Sequence, residues 1–101
     1  MVMSVLEARV APEQWETLRT AYSNRASVLP PDIVESFLVQ SSMDPESWRI
    51  MTIWRSREDL AAMRQSEGTP TGVLIFRDAG AEPAFTLFTV WANPRAAAPQ
   101  R

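Results

Sequence analysis

Four segments of the chain combine β-branched or aromatic residues with apolar side chains at alternate positions, a pattern typical of β-strands. The first predicted strand is segment 2–10, and the last is segment 84–92. Segments 33–41 and 48–54 flank the sequence Met-Asp-Pro-Glu-Ser. Because aspartate followed by proline favours a turn, these two middle segments are predicted to form a hairpin.

The segment after the first strand has the spacing of an amphipathic helix. Proline is well suited to the first position of a helix, and Pro12 precedes a stripe formed by Trp15, Leu18 and Tyr22 at intervals of three and four residues. These three side chains share one helix face, which predicts a helix over 12–26 with that face buried.

A second helical region follows the hairpin. Ser56 is followed three residues later by Asp59, which predicts an N-terminal capping interaction for a helix extending to about residue 66. Segment 71–79 is predicted to form a further short helix, because Gly80 is the kind of residue that follows a helix C-terminus.

The order of these elements, β-α-β-β-α-β, predicts one α+β domain in which helices cover one face of a four-stranded antiparallel sheet. A length of 101 residues, 46% of them hydrophobic, suits one domain with one core. We expect this domain to span residues 1–92 and residues 93–101 to form a flexible tail.

Both faces of the predicted sheet carry large apolar residues. In the third strand, Trp48 and Trp54 point to one face, and Met51 and Ile53 point to the other. Two helices can cover only one face, so we expect a homodimer in which the sheets of two copies meet. The alternative is a monomer whose own tail or proline-rich loop covers that face. Four charged residues are expected to lie at this interface and to form salt bridges there: Glu7, Arg9, Glu35 and Arg49.

The chain contains no cysteine, histidine or lysine. Disulfides, thiolate nucleophiles, lysine Schiff bases, imidazole bases and histidine metal ligands are therefore excluded. Any activity has to use carboxylates, arginine, hydroxyls, tryptophan or the backbone. On this basis we expect neither a metal ion nor a cofactor.

The net charge of -2 is spread along the chain, without the basic patch that nucleic-acid binding requires. No apolar run reaches the length of a membrane span, and the first residues lack the pattern of a signal peptide. We therefore expect a cytoplasmic protein that binds neither nucleic acid nor membranes.

Two stretches resemble a known family: Val-Glu-Ser-Phe-Leu-Val-Gln at 34–40, and Met-Thr-Ile-Trp-Arg-Ser-Arg-Glu-Asp-Leu at 51–60. With the order of elements, they make residues 2–92 similar to the antibiotic biosynthesis monooxygenase-like family. Its members are ferredoxin-like proteins that pair as dimeric α/β barrels, and they include cofactor-independent oxygenases of phenolic substrates and haem-degrading enzymes. The resemblance implies this fold, and an oxygenase of small aromatic or polyketide-type compounds.

The resemblance also implies positions for a site. Trp54 matches the tryptophan that lines the pocket of such oxygenases, at the end of a strand. Ala8, in Glu-Ala-Arg, stands where haem-degrading members have asparagine, and Met63 stands about where many members have histidine. Haem degradation is therefore not expected here.

The resemblance, alternation along the strands and helical spacing together give the candidate site residues. Trp54 and Tyr22 are the candidate catalytic residues: Trp54 would shape a cavity, and the Tyr22 hydroxyl could donate to an anionic substrate. The alternative for each of these two residues is a place in the ordinary hydrophobic core. The alternative function for the protein is a non-catalytic dimer that binds a small ligand or has a structural role. The candidate substrate-pocket residues are Leu6, Ala8, Trp15, Thr52, Met63 and Arg64.

Overall fold

The computed structural model describes residues 1–27 and 29–94, apart from the side chain of Glu67. Its elements follow the predicted order, with two helices between the third and fourth strands. The predicted flexibility of the tail falls largely on residues 95–101, which lie outside the described part of the chain. The elements are β1 (Val2–Arg9), a 3-10 turn (Pro12–Gln14), α1 (Trp15–Arg25), β2 (Ile33–Gln40), β3 (Ser47–Trp54), α2 (Arg57–Glu67), α3 (Thr71–Asp78) and β4 (Ala84–Thr89).

The four strands form one antiparallel sheet in the order β2-β3-β1-β4. In the two central strands, Ser4 lies opposite Thr52, and Leu6 lies opposite Ile50. On the other side of β3, Ser36 of β2 also lies opposite Thr52. This register brings hydroxyl side chains of three neighbouring strands into one row across the sheet.

Local sequence signals explain where the helices of the second half begin and end. The backbone N–H of Asp59 donates to Ser56 Oγ at 3.1 Å, which confirms the predicted N-terminal cap of α2. Gly68 and Gly80 follow α2 and α3 with φ angles of 71° and 75°, a conformation that glycine adopts without steric cost. The fourth strand was predicted too long: β4 ends at Thr89, not at residue 92.

The core lies between the helices and one face of the sheet. Leu18 of α1 and Phe76 of α3 are fully buried there, and each contributes about 1.5–3 kcal/mol through burial. The rings of Trp15 and Trp48 pack at a centroid distance of 5.9 Å and an angle of 60°. The indole Nε1 of Trp15 donates to the backbone oxygen of Val10 at 2.9 Å, which fixes the start of α1 against the end of β1.

No helix of the described residues covers the opposite face of the sheet. Phe37 and Phe88 are 45% and 50% exposed, and Met51 and Ile53 are half-buried between them. The presence of large apolar groups on both faces agrees with the expectation from the sequence. No helix in the described residues is long and apolar enough to cross a membrane.

Three of the four charged residues expected to pair across an interface have partners within the chain. Glu7 lies 3.5 Å from Arg49 on the neighbouring strand. Arg9 contacts Asp44 at 2.6 Å and Glu46 at 3.3 Å, both in the turn between β2 and β3. Glu35 lies exposed opposite Ile53. These pairs stabilise the strand ends and the turn of a single copy.

Candidate functional site

A cavity of about 270 Å³ lies between the helix-covered face of the sheet and the three helices. Strand residues form its floor, α1 and the loop after it form one wall, and α2 and α3 form the other. Most of its surface is apolar. The lining residues are Ser4, Leu6, Tyr22, Arg25, Ala26, Leu29, Pro30, Ile33, Ser36, Ile50, Thr52, Trp54, Leu60, Met63, Arg64, Pro70, Thr71, Gly72, Val73, Ile75, Pro83 and Phe85.

The floor of the cavity carries a row of three hydroxyl groups, from Ser36, Thr52 and Ser4, which we call the hydroxyl row. Tyr22 on α1 donates from its phenol to Ser36 Oγ at 3.0 Å. Ser36 Oγ and Thr52 Oγ1 are 3.4 Å apart and hydrogen-bonded. Trp54 Nε1 donates to Ser4 Oγ at 2.9 Å. Two aromatic side chains are therefore fixed in the cavity through this row.

Trp54 forms the end wall of the cavity at the C-terminus of β3. It is 4% exposed and clusters with Val2 and Leu60, and Met63 and Leu87 pack against this cluster. Its position follows from alternation along β3, because every second residue from Trp48 to Trp54 points toward the helices. The indole contributes a rigid apolar surface, with its one donor already bound to Ser4.

The mouth of the cavity carries positive charge. The guanidinium of Arg64 on α2 lies 4.4 Å from the centroid of the Phe85 ring, a cation–π contact at an exposed position. Arg25 is engaged by Asp78, with a distance of 3.2 Å between Nε and the carboxylate. Among the described lining residues there is no aspartate or glutamate, so the cavity favours neutral or anionic ligands.

Gly72, in the first turn of α3, allows that helix to approach β1 closely. A Cβ atom at this position would lie 2.5 Å from Leu6 Cδ1, closer than real atoms approach. Both residues line the cavity. The glycine therefore leaves room for the end of the Leu6 side chain between α3 and the floor.

Comparison with known proteins agrees with this architecture. A sequence model of the antibiotic biosynthesis monooxygenase family matches residues 1–69, which is 69 of 101 residues and includes β1 to α2. The chain belongs to this family. The resemblance predicted from residues 34–40 and 51–60 is thereby confirmed. The sequence matches no curated protein.

Solved structures show the same fold. A protein from Deinococcus radiodurans named for the antibiotic biosynthesis monooxygenase family superposes with a TM-score of 0.73 at 12% identity, covering 92% of this chain and 95% of that one. A mutant of SnoaB, a cofactor-independent oxygenase from Streptomyces nogalater, superposes with a TM-score of 0.68 at 16% identity, covering 93% and 96%. These likenesses confirm the ferredoxin-like α+β fold.

Six of the eight residues predicted for the site line the cavity of this family member: Leu6, Tyr22, Thr52, Trp54, Met63 and Arg64. The other two do not reach it. Ala8 lies opposite Trp48 and belongs to the same buried cluster, and Trp15 packs against that cluster with its indole bound to Val10. Ala8 and Trp15 therefore lie outside the residues that line this cavity.

Sequence reasoning missed Ser4, Ser36 and Gly72. A signal for the two serines existed, since each is a small polar residue at a strand position that alternation assigns to the buried face. No such signal marked Gly72, because its role depends on how closely α3 crosses β1. Among the described residues, no three histidine, cysteine, aspartate or glutamate side chains lie together as metal ligands would.

Proposed function

We propose that this protein is a cofactor-independent oxygenase that acts on a small aromatic or polyketide-type substrate in the cavity beside Trp54. The observation that carries the proposal is the cavity itself, because its apolar walls enclose a floor of hydroxyl groups. The family membership and the fold shared with SnoaB support it. The chain lacks histidine, cysteine and lysine, and this chemistry requires none of them.

In the proposed reaction the substrate itself supplies the electrons. An anthrone-type substrate bound as its anion transfers electrons to dioxygen, and its methylene carbon is oxidised to a carbonyl. One oxygen atom of O₂ enters the new carbonyl and the other leaves as water, so that four electrons pass from carbon to oxygen. The methylene carbon loses two protons, one to solvent when the anion forms and one during oxidation, and the water takes up two, one of them from solvent. The protein has to hold the anion in a dry pocket and stabilise its oxygen with preorganised donors.

The proton of the substrate leaves to solvent in this proposal. The described lining has no carboxylate, and the phenol of Tyr22 is occupied as a donor to Ser36. With no general base in the lining, the rate is expected to follow the ionised fraction of the substrate and to rise with pH until ionisation is complete.

We propose further that two copies pair through the open face of the sheet. Phe37 and Phe88 are about half exposed on that face, and Val39 is 37% exposed. Burying about 2,000 Å² in total is typical of an obligate dimer and would remove this apolar surface from water. The cavity lies on the other face of each sheet, so each copy keeps its own site.

The second candidate function is a non-catalytic protein that binds a small aromatic ligand in the same cavity. The absence of a carboxylate from the described lining and the engagement of Tyr22 with Ser36 favour it. The two candidates share a ligand site and differ only in whether oxygen is consumed.

Oxygen uptake by purified protein, freed of metal by chelation and of flavin as judged by absorbance, tests the proposal. With anthrone, 1,8-dihydroxyanthrone and 1,4-naphthohydroquinone as a panel, we expect uptake above the spontaneous rate with at least one compound. Met63→Phe, which places a bulkier and more rigid side chain in the cavity lining, should reduce the uptake, while Met43→Phe on the exposed turn should not. Binding without uptake by any of the panel would favour the second candidate.

A further inference from the structure

The hydroxyl row and Tyr22 together carry more donor protons than acceptors among the described residues use. Tyr22, Ser36 and Thr52 carry three hydroxyl protons, and two hydrogen bonds link their oxygen atoms. Tyr22 donates to Ser36, and one proton of the Ser36–Thr52 pair is used between them. Whichever of these two residues donates, the proton of the other is left without an acceptor among the described residues.

Ser4 provides a second spare proton. Its Oγ accepts from Trp54 Nε1, which leaves its own O–H free to donate, and no described residue accepts from it. Ser4 and Thr52 lie directly opposite each other on β1 and β3, a pairing that places Cβ atoms about 4.5–5.5 Å apart. When Ser36 donates to Thr52, the two spare donors are therefore on directly opposite residues of the cavity floor; when Thr52 donates, the second spare donor is on Ser36, one strand farther along the row.

The hydroxyl groups of Ser4 and Thr52 are buried, so a donor proton there without an acceptor has an energetic cost. Ser4 and Thr52 are each 8% exposed, and they are the buried polar side chains of the described core. A buried donor without an acceptor costs free energy, so native proteins normally satisfy it with a protein group, a water or a ligand. Both hydroxyls line the cavity, so an occupant of the cavity is in a position to accept from them.

We infer that the hydroxyl row is a subsite for an acceptor oxygen, and that the cavity takes planar ligands bearing a carbonyl or phenolate oxygen in preference to hydrocarbons of the same shape. The ligand oxygen receives hydrogen bonds from Ser4 and from the Ser36–Thr52 pair, while its ring lies against the apolar walls. Tyr22 is a positioning residue, because it acts on the ligand through Ser36. This inference deepens the proposed function and rests on it only through the shared cavity.

The same row also explains how the substrate anion of the proposed reaction would be stabilised. Hydrogen bonds to charged acceptors are about twice as strong as neutral ones, so the two donors favour the phenolate over the phenol. Arg64 at the mouth contributes positive charge farther from the floor. Selection of an oxygenated ring and stabilisation of its anion therefore depend on the same two donors.

The test compares binding of 1-tetralone, which has one acceptor oxygen, with binding of tetralin, which has the same two rings and no oxygen. Isothermal titration calorimetry on the wild-type chain is expected to give at least tenfold tighter binding of tetralone. In the double variant Ser36→Ala with Thr52→Val, this preference should fall about three- to tenfold, while tetralin affinity stays within twofold. Thr86→Val removes a hydroxyl from the opposite face of the sheet and should change neither affinity.

Equal binding of the two probes, binding of neither, or an unchanged preference in the double variant would overturn the inference. If the double variant does not fold, Ser4→Ala provides the same comparison through the other donor. The calorimetric test requires no turnover, so its failure is distinct from failure of the oxygenase proposal. A preference for tetralone without oxygen uptake would leave the subsite established and remove the proposed reaction.

Discussion

The indole Nε1 of Trp54 donates a hydrogen bond to Ser4 Oγ at 2.9 Å, across the ladder between β3 and β1. Val2 is the residue directly opposite Trp54, so Ser4 is its diagonal neighbour on the same face of the sheet. The bond fixes the plane of the indole at the end of the cavity. It also orients the serine so that its own proton points away from Trp54.

Replacing Trp54 by phenylalanine should destabilise the protein more than the same change at Trp48. The two indoles are about equally buried, at 4% and 5% exposed, but Trp48 Nε1 has no hydrogen-bond partner among the described residues. The Trp54→Phe variant therefore loses a hydrogen bond in addition to ring volume. We expect an excess loss of about 1 kcal/mol in the free energy of unfolding, measured by urea denaturation.

The Trp48→Phe variant is the matched control for this comparison, because it removes a buried donor that has no acceptor. Equal losses in the two variants would show that the bond to Ser4 contributes nothing net to stability.

The fold could be predicted from the sequence because its signals are local. Alternation located the strands, the Asp-Pro turn located the hairpin, and Ser56 marked the start of α2. The end of β4 was not predictable from alternation, since apolar residues continue past Thr89 while the strand does not. The end of a strand depends on its neighbour. Thr89 of β4 pairs with Val2, the first residue of β1, so the pairing stops there.

The candidate site was only partly predictable, because a cavity is the space that packing leaves unfilled. Alternation placed Leu6, Thr52 and Trp54 on the correct face but could not separate them from Ala8, which shares it. The difference is that Ala8 lies opposite Trp48 within the packed cluster, and how that cluster packs is not visible in the alternation pattern. The bond from Tyr22 to Ser36 joins two elements whose relative position no sequence pattern encodes.

Gly72→Ala should reduce the cavity. The added Cβ would lie 2.5 Å from Leu6 Cδ1, so the leucine has to move, and its side chain lines the cavity. We expect weaker binding of 1-tetralone, by about threefold or more, measured by calorimetry. Leu6→Val removes the contacting methyl group, so the double variant should recover affinity; if it does not, contact with Leu6 is not the cause.

Phe37→Glu should separate the proposed dimer into monomers. The side chain is 45% exposed on the open face, where a carboxylate would be buried without a partner if two sheets met. Sedimentation velocity should show a wild-type dimer and a variant monomer, each still folded by circular dichroism. Thr20→Glu adds the same charge on exposed α1 and should remain dimeric; a monomeric wild type would contradict the proposed pairing.

The acidic turn residue Asp44 should titrate below its ordinary range. Its hydrogen bond with Arg9, aided by the attraction of that charge, lowers the pKa of the carboxyl group. A lowered pKa means that this contribution to stability is present above the unfolded-state pKa of about 3.9 and is lost as the pH falls through the folded-state value. Nuclear magnetic resonance titration should show Arg9→Gln raising the pKa of Asp44.

A reciprocal control is available at a second exposed pair. Hydrogen bonds from Arg77 to Glu82, both 3.0 Å long, lower the pKa of the glutamate in the same way. Arg77→Gln should therefore raise the pKa of Glu82 and leave that of Asp44 unchanged. A pKa of Asp44 insensitive to Arg9→Gln would show that the ion pair does not persist in solution.

The most direct test of the cavity as a ligand site uses the five methionines of the chain as probes. Met63 lines the cavity, Met3 and Met51 lie on the opposite face of the sheet, and Met43 is 94% exposed in the turn. With ¹³C-methyl methionine labelling, titration with 1-tetralone is predicted to shift the Met63 signal and to give nuclear Overhauser contacts between its methyl group and the ligand. Shifts confined to Met3 or Met51, or no shift of Met63 at saturation, would contradict the account.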